Sequence, residues 1–355
     1  MQKRVKTENM VLGVMSGTSL DGLDIALVHF QKKERWTYRI HAATTIPYPK
    51  VWAKKLARCA LLSKEDLAQL DVEYTHYLGN TINQFLKEEK ASIDFISSHG
   101  HTVFHQPDQG LTYQMGNLPD LAKITGHQVI CDFRVADVAL KGQGAPLVPG
   151  GEVHLFSEYD ACINLGGFAN ITRMDVSPVV AYDICPVNIV MNALVHPLGL
   201  KYDNDGALAR SGTAIPSLIT ALNQLAYYKA PYPKSLGIEW VASTIDPLLL
   251  KYKNASIADL LHSFSLHCAH QIQHELPEDG RVLFSGGGCH NSFLIELIQA
   301  QSKAKIVLPS AQIIEFKEAV VFAFLGVLRQ MGEVNCLASV TGALNDHSSG
   351  KIFLP

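Results

Sequence analysis

Residues 13–28 read GVMSGTSLDGLDIALV, which sets an apolar strand, a turn of glycine and hydroxyl residues, two aspartates and a second apolar strand in one short stretch. Glycine and small hydroxyl residues let a backbone turn several N–H groups toward a single oxyanion. The spacing predicts a phosphate-gripping hairpin made by Ser16, Gly17, Thr18, Ser19, Leu20, Asp21, Gly22, Leu23 and Asp24. A carboxylate repels phosphate, so Asp21 and Asp24 ask for a cation, and magnesium held by Asp21 is the expected arrangement. Taken alone, the segment reads equally well as a tight β-hairpin with a polar tip. Repetition tilts the balance. CINLGGFANITRM, residues 162–174, is a second hairpin centred on Gly166 and Gly167, and VLFSGGGCHNSFL, residues 282–294, follows a strand with Gly286, Gly287 and Gly288 and then a helix starting near His290 or Asn291. The chain has no GxxxxGK[ST], and no GxGxxG between a strand and a helix, so the common P-loop and dinucleotide readings fall away.

Two facing hairpins around a phosphate tail, with a third glycine turn near the adenosine, are the logic of the two-lobed actin-like sugar kinases. The chain also resembles one family in particular. GVMSGTSLDG (Gly13 to Gly22), SHG-T (Ser98 to Thr102), QMGN (Gln114 to Asn117), DFR--D--L-GQGAPLVP (Asp132 to Pro149), N-GG-AN (Asn164 to Asn170) and VTGA (Val340 to Ala343) are similar to the anhydro-N-acetylmuramic acid kinases. The matches run from the first strand almost to the C-terminus. The resemblance implies an α/β, two-lobed actin-like ATPase fold, a duplicated ribonuclease H-like arrangement with a central cleft. It implies that ATP, with Mg2+, phosphorylates the sugar O6 while water opens the 1,6-anhydro bond, giving N-acetylmuramic acid 6-phosphate in cell-wall recycling. A kinase for another amino sugar, or a non-catalytic nucleotide-binding relative, is the alternative.

That chemistry needs a base for the attacking water, and Asp183 is the candidate, expected at a strand end before a helix starting near Pro186; capping that helix is its other possible role. The family's DTGPGN reads DICPVN here, so Cys185 and Val187 stand where glycines are expected. Arg134 and Asp137 are the expected polar pair at the cleft entrance, although Val135 and Ala136 stand where the family carries further arginine. Gln114, Asn117 and Glu318 are the remaining candidates for the sugar. Residues 234–237, KSLG, resemble the family's KSTGRE with Ile238 in place of arginine, and His101 stands where the family has glutamine.

The elements needed to hold these residues alternate between helix and strand: a helix over Lys64 to Glu89, strands at Phe95 to Ser98 and Val129 to Asp132, helices after Asn188 and Ile257, and a helix near Glu315 to Met331. The expected lobes are 1–138 with 340–355, and 139–339, with Gly142 and Gly144 as a hinge. At 355 residues and 47% hydrophobic content the chain can build two cores, and a net charge of −3 gives no basic field for nucleic acid or an acidic membrane surface. The expected partners are therefore the amino sugar and ATP, with a homodimer as an open assembly state. Seven scattered cysteines without a CxxC pair, and a polar N-terminal stub, point to reduced core thiols in a cytoplasmic enzyme. His267, His270 and His274, with His262 upstream, share a helical face; a solvated histidine-rich face accounts for them better than zinc does.

Overall fold

The two apolar arms of the glycine hairpin, Glu8–Ser16 and Gly22–Lys32, pair as antiparallel strands inside a seven-stranded sheet. The computed structural model describes residues 7–17, 20–300 and 302–355, and the chain divides into two units, Met1–Leu155 with Phe316–Pro355, and Phe156–Glu315. These boundaries replace the expected 138/139 and 339/340. Gly142 and Gly144 fall within the first unit, so they are not the crossing. A Cβ on Gly142 would run into the Asp137 carboxylate, whereas Gly144 has φ +67° and donates its N–H to that same carboxylate at 2.7 Å.

In the first unit the strands are β1 (Glu8–Ser16), β2 (Gly22–Lys32), β3 (Trp36–Pro47), β4 (Phe95–Gln106), β5 (Leu111–Met115), β6 (Val129–Cys131) and β12 (Lys351–Phe353). Their order is β12-β6-β4-β1-β2-β3, with β5 paired to β4. The first three strands form an antiparallel meander, whereas β4 and β6 run parallel to β1 and require crossovers. The helix Lys64–Glu89 supplies the first crossover. Ser63 caps it by accepting the Asp66 N–H, Glu65 and Asp66 favour its positive end, and Lys90 in the left-handed region ends it. Its buried stripe of Leu67, Leu70, Tyr74, Leu78, Ile82 and Phe85 packs on Leu12, Val14, Leu23, Ile25 and Leu27. The period-2 alternation turns Gly13 to the opposite face, where a Cβ would strike the Ala319 carbonyl of the helix Ala311–Met331.

The second unit contains β7 (Ala161–Leu165), β8 (Phe168–Arg173), β9 (Val180–Pro186), β10 (Arg281–Ser285) and β11 (Lys305–Val307), ordered β11-β10-β7-β8-β9. Again the first three strands are an antiparallel meander and the next two run parallel to the first. The path β9-β8-β7-β10-β11 thus repeats the path β3-β2-β1-β4-β6 of the first unit, where β5 is a hairpin arm on β4 and β12 an added edge, and this repeat is the duplicated ribonuclease H-like plan of the actin-like class. The helix Ile257–Glu275, capped by Ser256, lays Phe264, Cys268 and Ile272 against Ile163, Ile171 and Ile184. All seven cysteines are buried thiols.

Candidate active site

In the first unit, the expected phosphate turn resolves into residues with different tasks. Thr18 and Ser19 lie outside the described residues. Ser16 is buried, and its Oγ sits 2.7 Å from the Tyr48 hydroxyl and 2.9 Å from His101 Nδ1, while Tyr48 continues to the Tyr74 hydroxyl at 2.6 Å. The Ser16 hydroxyl therefore braces β1 against β4 and the residue that follows β3, and is not turned out toward a phosphate. Gly22 is a glycine because the Ile46 carbonyl of β3 passes where its Cβ would be. Leu23 faces the core and pairs with Ser16 in the ladder, so its assignment as a phosphate contact gives way to a packing role. Gly17 and Leu20 remain at the turn: Leu20 adopts φ 62° and donates its N–H to Gly17 O at 3.4 Å. Asp21 is exposed at the tip, and Asp24, half-buried, accepts a 2.6 Å bond from the Thr45 hydroxyl.

The sugar-side candidates of this unit gather around His99. β4 does not end at Ser98: it continues to Gln106, bent at Gly100 (φ +75°), where a Cβ would crowd Met115 O and the Asn117 amide. Arg134 Nε donates to His99 Nε2 at 3.0 Å, and His99 Nδ1 then donates to Gly100 O at 2.8 Å, which fixes a neutral tautomer. Burial, with the Arg134 charge adding, holds the His99 pKa well below the usual histidine value. Asn117 Nδ2 donates to His99 O at 3.2 Å, and Arg134 Nη1 donates to Gly144 O at 2.6 Å. Three buried oxygens, Ser98 Oγ, Gln114 Oε1 and Asn117 Oδ1, have no hydrogen-bond partner among the described residues. Such groups in a folded interior call for a ligand or water. Glu318 reaches solvent, yet desolvation by surrounding protein lifts its carboxyl above the usual range, with Lys317 and Arg134 opposing and Asp24 and Glu152 adding.

Asp137 is corrected from a cleft-entrance contact to a buried brace. It is 0% exposed, and it accepts Thr341 Oγ1 at 2.7 Å and Cys336 Sγ at 3.1 Å on Oδ1, and Gly144 N on Oδ2. Asp71, which no local pattern singles out, likewise accepts the Gly116 N–H at 2.6 Å and pins the loop that carries Gln114 and Asn117.

In the second unit the two glycine turns are neighbours, because Ser285 at the end of β10 pairs with Asn164 of β7. Gly286 has φ +86°, and a Cβ there would lie 2.6 Å from Asn164 Oδ1; one on Gly288 would meet Leu165. Gly287 has open space around it. Gly166 and Gly167 turn their carbonyls to the N–H groups of Val187, Asn188 and Ile189, so the hairpin docks on the start of the helix Asn188–Val195.

Asp183 sits in the middle of β9, not at its end: the strand runs on to Pro186, and the helix begins at Asn188 with Val187 at its cap. The helix-cap role therefore does not apply. β9 is an edge strand, and the segment 234–236 lies along it, with Asp183 N–H donating to Lys234 O at 3.2 Å and Leu236 N–H donating to Asp183 Oδ2 at 2.8 Å. The Tyr227 hydroxyl donates to the Asp183 carbonyl at 2.7 Å. Burial raises the Asp183 carboxyl above its ordinary value, with the Leu236 N–H opposing. Lys234 Nζ lies 5.6 and 5.1 Å over the Tyr182 and Tyr227 rings, and 3.6 Å from Glu275. The KSLG resemblance marks this segment; no sequence signal marks Tyr227 or Thr45.

The histidine row of the helix Ile257–Glu275 is not one solvated face. His267 is buried with both nitrogens engaged, by Asn223 Oδ1 at 2.5 Å and the Tyr228 hydroxyl at 3.0 Å, whereas His270 and His274 form an exposed pair.

The buried histidines make a pH prediction. Burial lowers His101 from 6.5 to about 4, so the unfolded chain takes up a proton that the folded chain refuses. Its stabilising contribution is whole above about pH 6.5 and is lost as pH falls toward 4. Stability at pH 5 is expected to be about 2 kcal/mol below that at pH 7.5 from this residue alone. Urea titrations at the two pH values check it, and His101→Gln should shrink the difference.

A family model described as anhydro-N-acetylmuramic acid kinase matches residues 9–355. Two relatives bearing that description are similar along almost their whole length. One, from Hydrogenovibrio crunogenus, is 33% identical over 366 residues, with 98% of each chain covered. The other, from Aliivibrio fischeri, is 34% identical over 367 residues, covering 96% of this chain and 98% of its own. Among solved structures, the (R)-2-hydroxyglutaryl-CoA dehydratase component A of Acidaminococcus fermentans is similar at 12% identity and a TM-score of 0.46, covering 89% of this chain and 96% of that one.

Proposed function

The chain belongs to the anhydro-N-acetylmuramic acid kinase family, and from that premise we propose that it moves the γ-phosphoryl group of ATP to O6 of 1,6-anhydro-N-acetylmuramic acid as water opens the anhydro bridge. Water oxygen bonds to C1 as Asp183 takes a proton from it, the C1–O6 bond breaks, O6 bonds to the γ-phosphorus, and the bond from that phosphorus to the β–γ bridging oxygen breaks to release ADP; the product is N-acetylmuramic acid 6-phosphate. The observation that carries this reading is Asp183. Its carboxylate accepts one N–H, from Leu236, and burial shifts it upward, toward the range in which a base for water works near neutral pH. The segment Lys234 to Leu236 and the Tyr227 hydroxyl hold its backbone.

In the first unit, the unpartnered oxygens of Gln114 and Asn117 are suited to accept from the hydroxyl and amide groups of an amino sugar, with Arg134 and Glu318 in the same neighbourhood. Magnesium bound with the triphosphate would offset its charge, and the carboxylates of Asp21 and Asp24, hard oxygen donors beside the turn, fit that ion. The replaced glycines give no support to a different acceptor, because Cys185 and Val187 are both fully buried in the core of the second unit.

The direct test supplies ATP, magnesium and the anhydro sugar in water enriched in 18O. Equal amounts of ADP and phosphorylated sugar are expected, with the label at C1. ADP release that ignores the sugar, or none, overturns the reading. The glycine turn gives a second expected outcome. Gly287→Val should leave the melting temperature near its starting value and raise KM for ATP, because its surroundings are open, whereas Gly286→Ala should lower stability by about 1–3 kcal/mol through its positive φ and the Asn164 contact. Thermal melts and ATP titrations separate the two.

A further inference from the structure

Asp137, Cys336 and His347 bring one carboxylate oxygen, one sulfur and one imidazole nitrogen within 4.8 Å of one another in the first unit. Asp137 Oδ1 stands 3.1 Å from Cys336 Sγ and 3.6 Å from His347 Nε2. Ligands on a tetrahedral zinc ion, at about 2.0–2.3 Å each, sit roughly 3.3–3.5 Å apart. Cys336 and His347 also face each other as a backbone bridge, with N–H to O bonds of 3.1 Å in both directions, which fixes both side chains on one side of the strand pair.

The second observation is the histidine's tautomer. His347 Nδ1 lies 3.1 Å from Asn345 O and, as the donor there, leaves Nε2 with a lone pair. That nitrogen is buried, has no hydrogen-bond partner among the described residues, and is aimed at a carboxylate oxygen. Two lone pairs facing each other need a cation between them or a proton on the ring. A histidine that donates its other N–H to a backbone carbonyl is also the usual support of a metal ligand.

We propose that Asp137 Oδ1, Cys336 Sγ and His347 Nε2 form a structural site for a zinc ion, with water in the fourth position. On binding, the zinc–sulfur bond forms and the thiol proton leaves to solvent, so two negative charges and a neutral imidazole balance the dication. Without the ion, burial with Asp137 adding pushes the Cys336 thiol well up, and it stays protonated as a donor to Asp137. The ion would tie residues 336–347 to the residue that holds Gly144, the same loop that Arg134 grips. This site is independent of the kinase reading.

The test uses the full untagged chain, stripped of metal and then given zinc or cobalt. Expected are one zinc per chain by elemental analysis, a zinc-dependent rise in melting temperature, and a thiolate-to-cobalt charge-transfer band in the cobalt form. Cys336→Ser should abolish the band, and His347→Gln should weaken zinc binding at least tenfold. If Cys336→Ser fails to fold, His347→Gln, at the less buried position, decides. No zinc bound by the wild type, or binding that His347→Gln leaves unchanged, overturns the proposal; in the latter case the exposed His270 and His274 pair is the place to look, with His270→Gln as the control.

Discussion

Asp183→Asn is expected to fold as the wild type does and to lose turnover by about 10²–10⁴-fold, the usual contribution of a positioned general base. Asparagine is nearly the same shape, and its Oδ1 can still accept the Leu236 N–H that now reaches Asp183 Oδ2 at 2.8 Å. The backbone bonds to Lys234 and Tyr227 do not involve the side chain at all. Only the basic lone pair disappears. Sugar-dependent ADP release gives the rate, and a thermal melt checks the fold; KM for ATP should move little. A variant with full turnover would remove Asp183 from the mechanism, and one that is unfolded would mean that its charge, not its shape, holds the β9 edge.

Lys317→Ala has the largest expected effect on stability, a loss of about 3–5 kcal/mol. Lys317 Nζ lies 2.7 Å from Glu152 Oε1, with the two side chains 4% and 2% exposed, and Glu152 Oε2 has no hydrogen-bond partner among the described residues. Truncating the lysine strands a carboxylate in the interior, where water cannot reach it. Replacing both members, with Lys317→Met and Glu152→Leu, should recover most of the loss, because attraction within a buried pair does little more than offset the desolvation of both charges. Chemical denaturation of the two variants and the wild type measures both values. A single variant within 1 kcal/mol of wild type would show that water replaces the lysine.

Local physics made much of the scaffold readable in advance. The helix Lys64–Glu89 has a serine cap, acidic first turn and apolar stripe within its own residues, and its ends lie where the pattern puts them. Glycine turns at 166–167 and 286–288 are likewise visible, as is the run of strand, glycine turn and helix over residues 282–294. What a glycine is for was not visible. Gly22 serves the passage of Ile46, and Gly142 that of Asp137, reasons that reside in distant partners. Asp137 is the clearest case: the sequence pairs it with Arg134 at the cleft entrance, but its partners are Cys336, Thr341 and His347, about two hundred positions further along the chain. The expected place of Asp183, a strand end just before a helix, differs from its place inside β9, since nothing in DICPVN shows that the strand runs on to Pro186 before the helix begins at Asn188.

Unit one is assembled from two separate stretches, Met1–Leu155 and Phe316–Pro355, whereas Phe156–Glu315 is a single uninterrupted stretch. During synthesis the inner stretch can therefore mature before residues 316–355 have emerged from the ribosome. The earlier half has to wait, since Gly13 meets its packing surface only when Ala319 emerges, and β6 gains β12 only at Lys351–Phe353. Translation that stops short of those last residues would leave β1 and β6 with apolar surface and an open edge exposed, the features by which incomplete chains aggregate or are cleared.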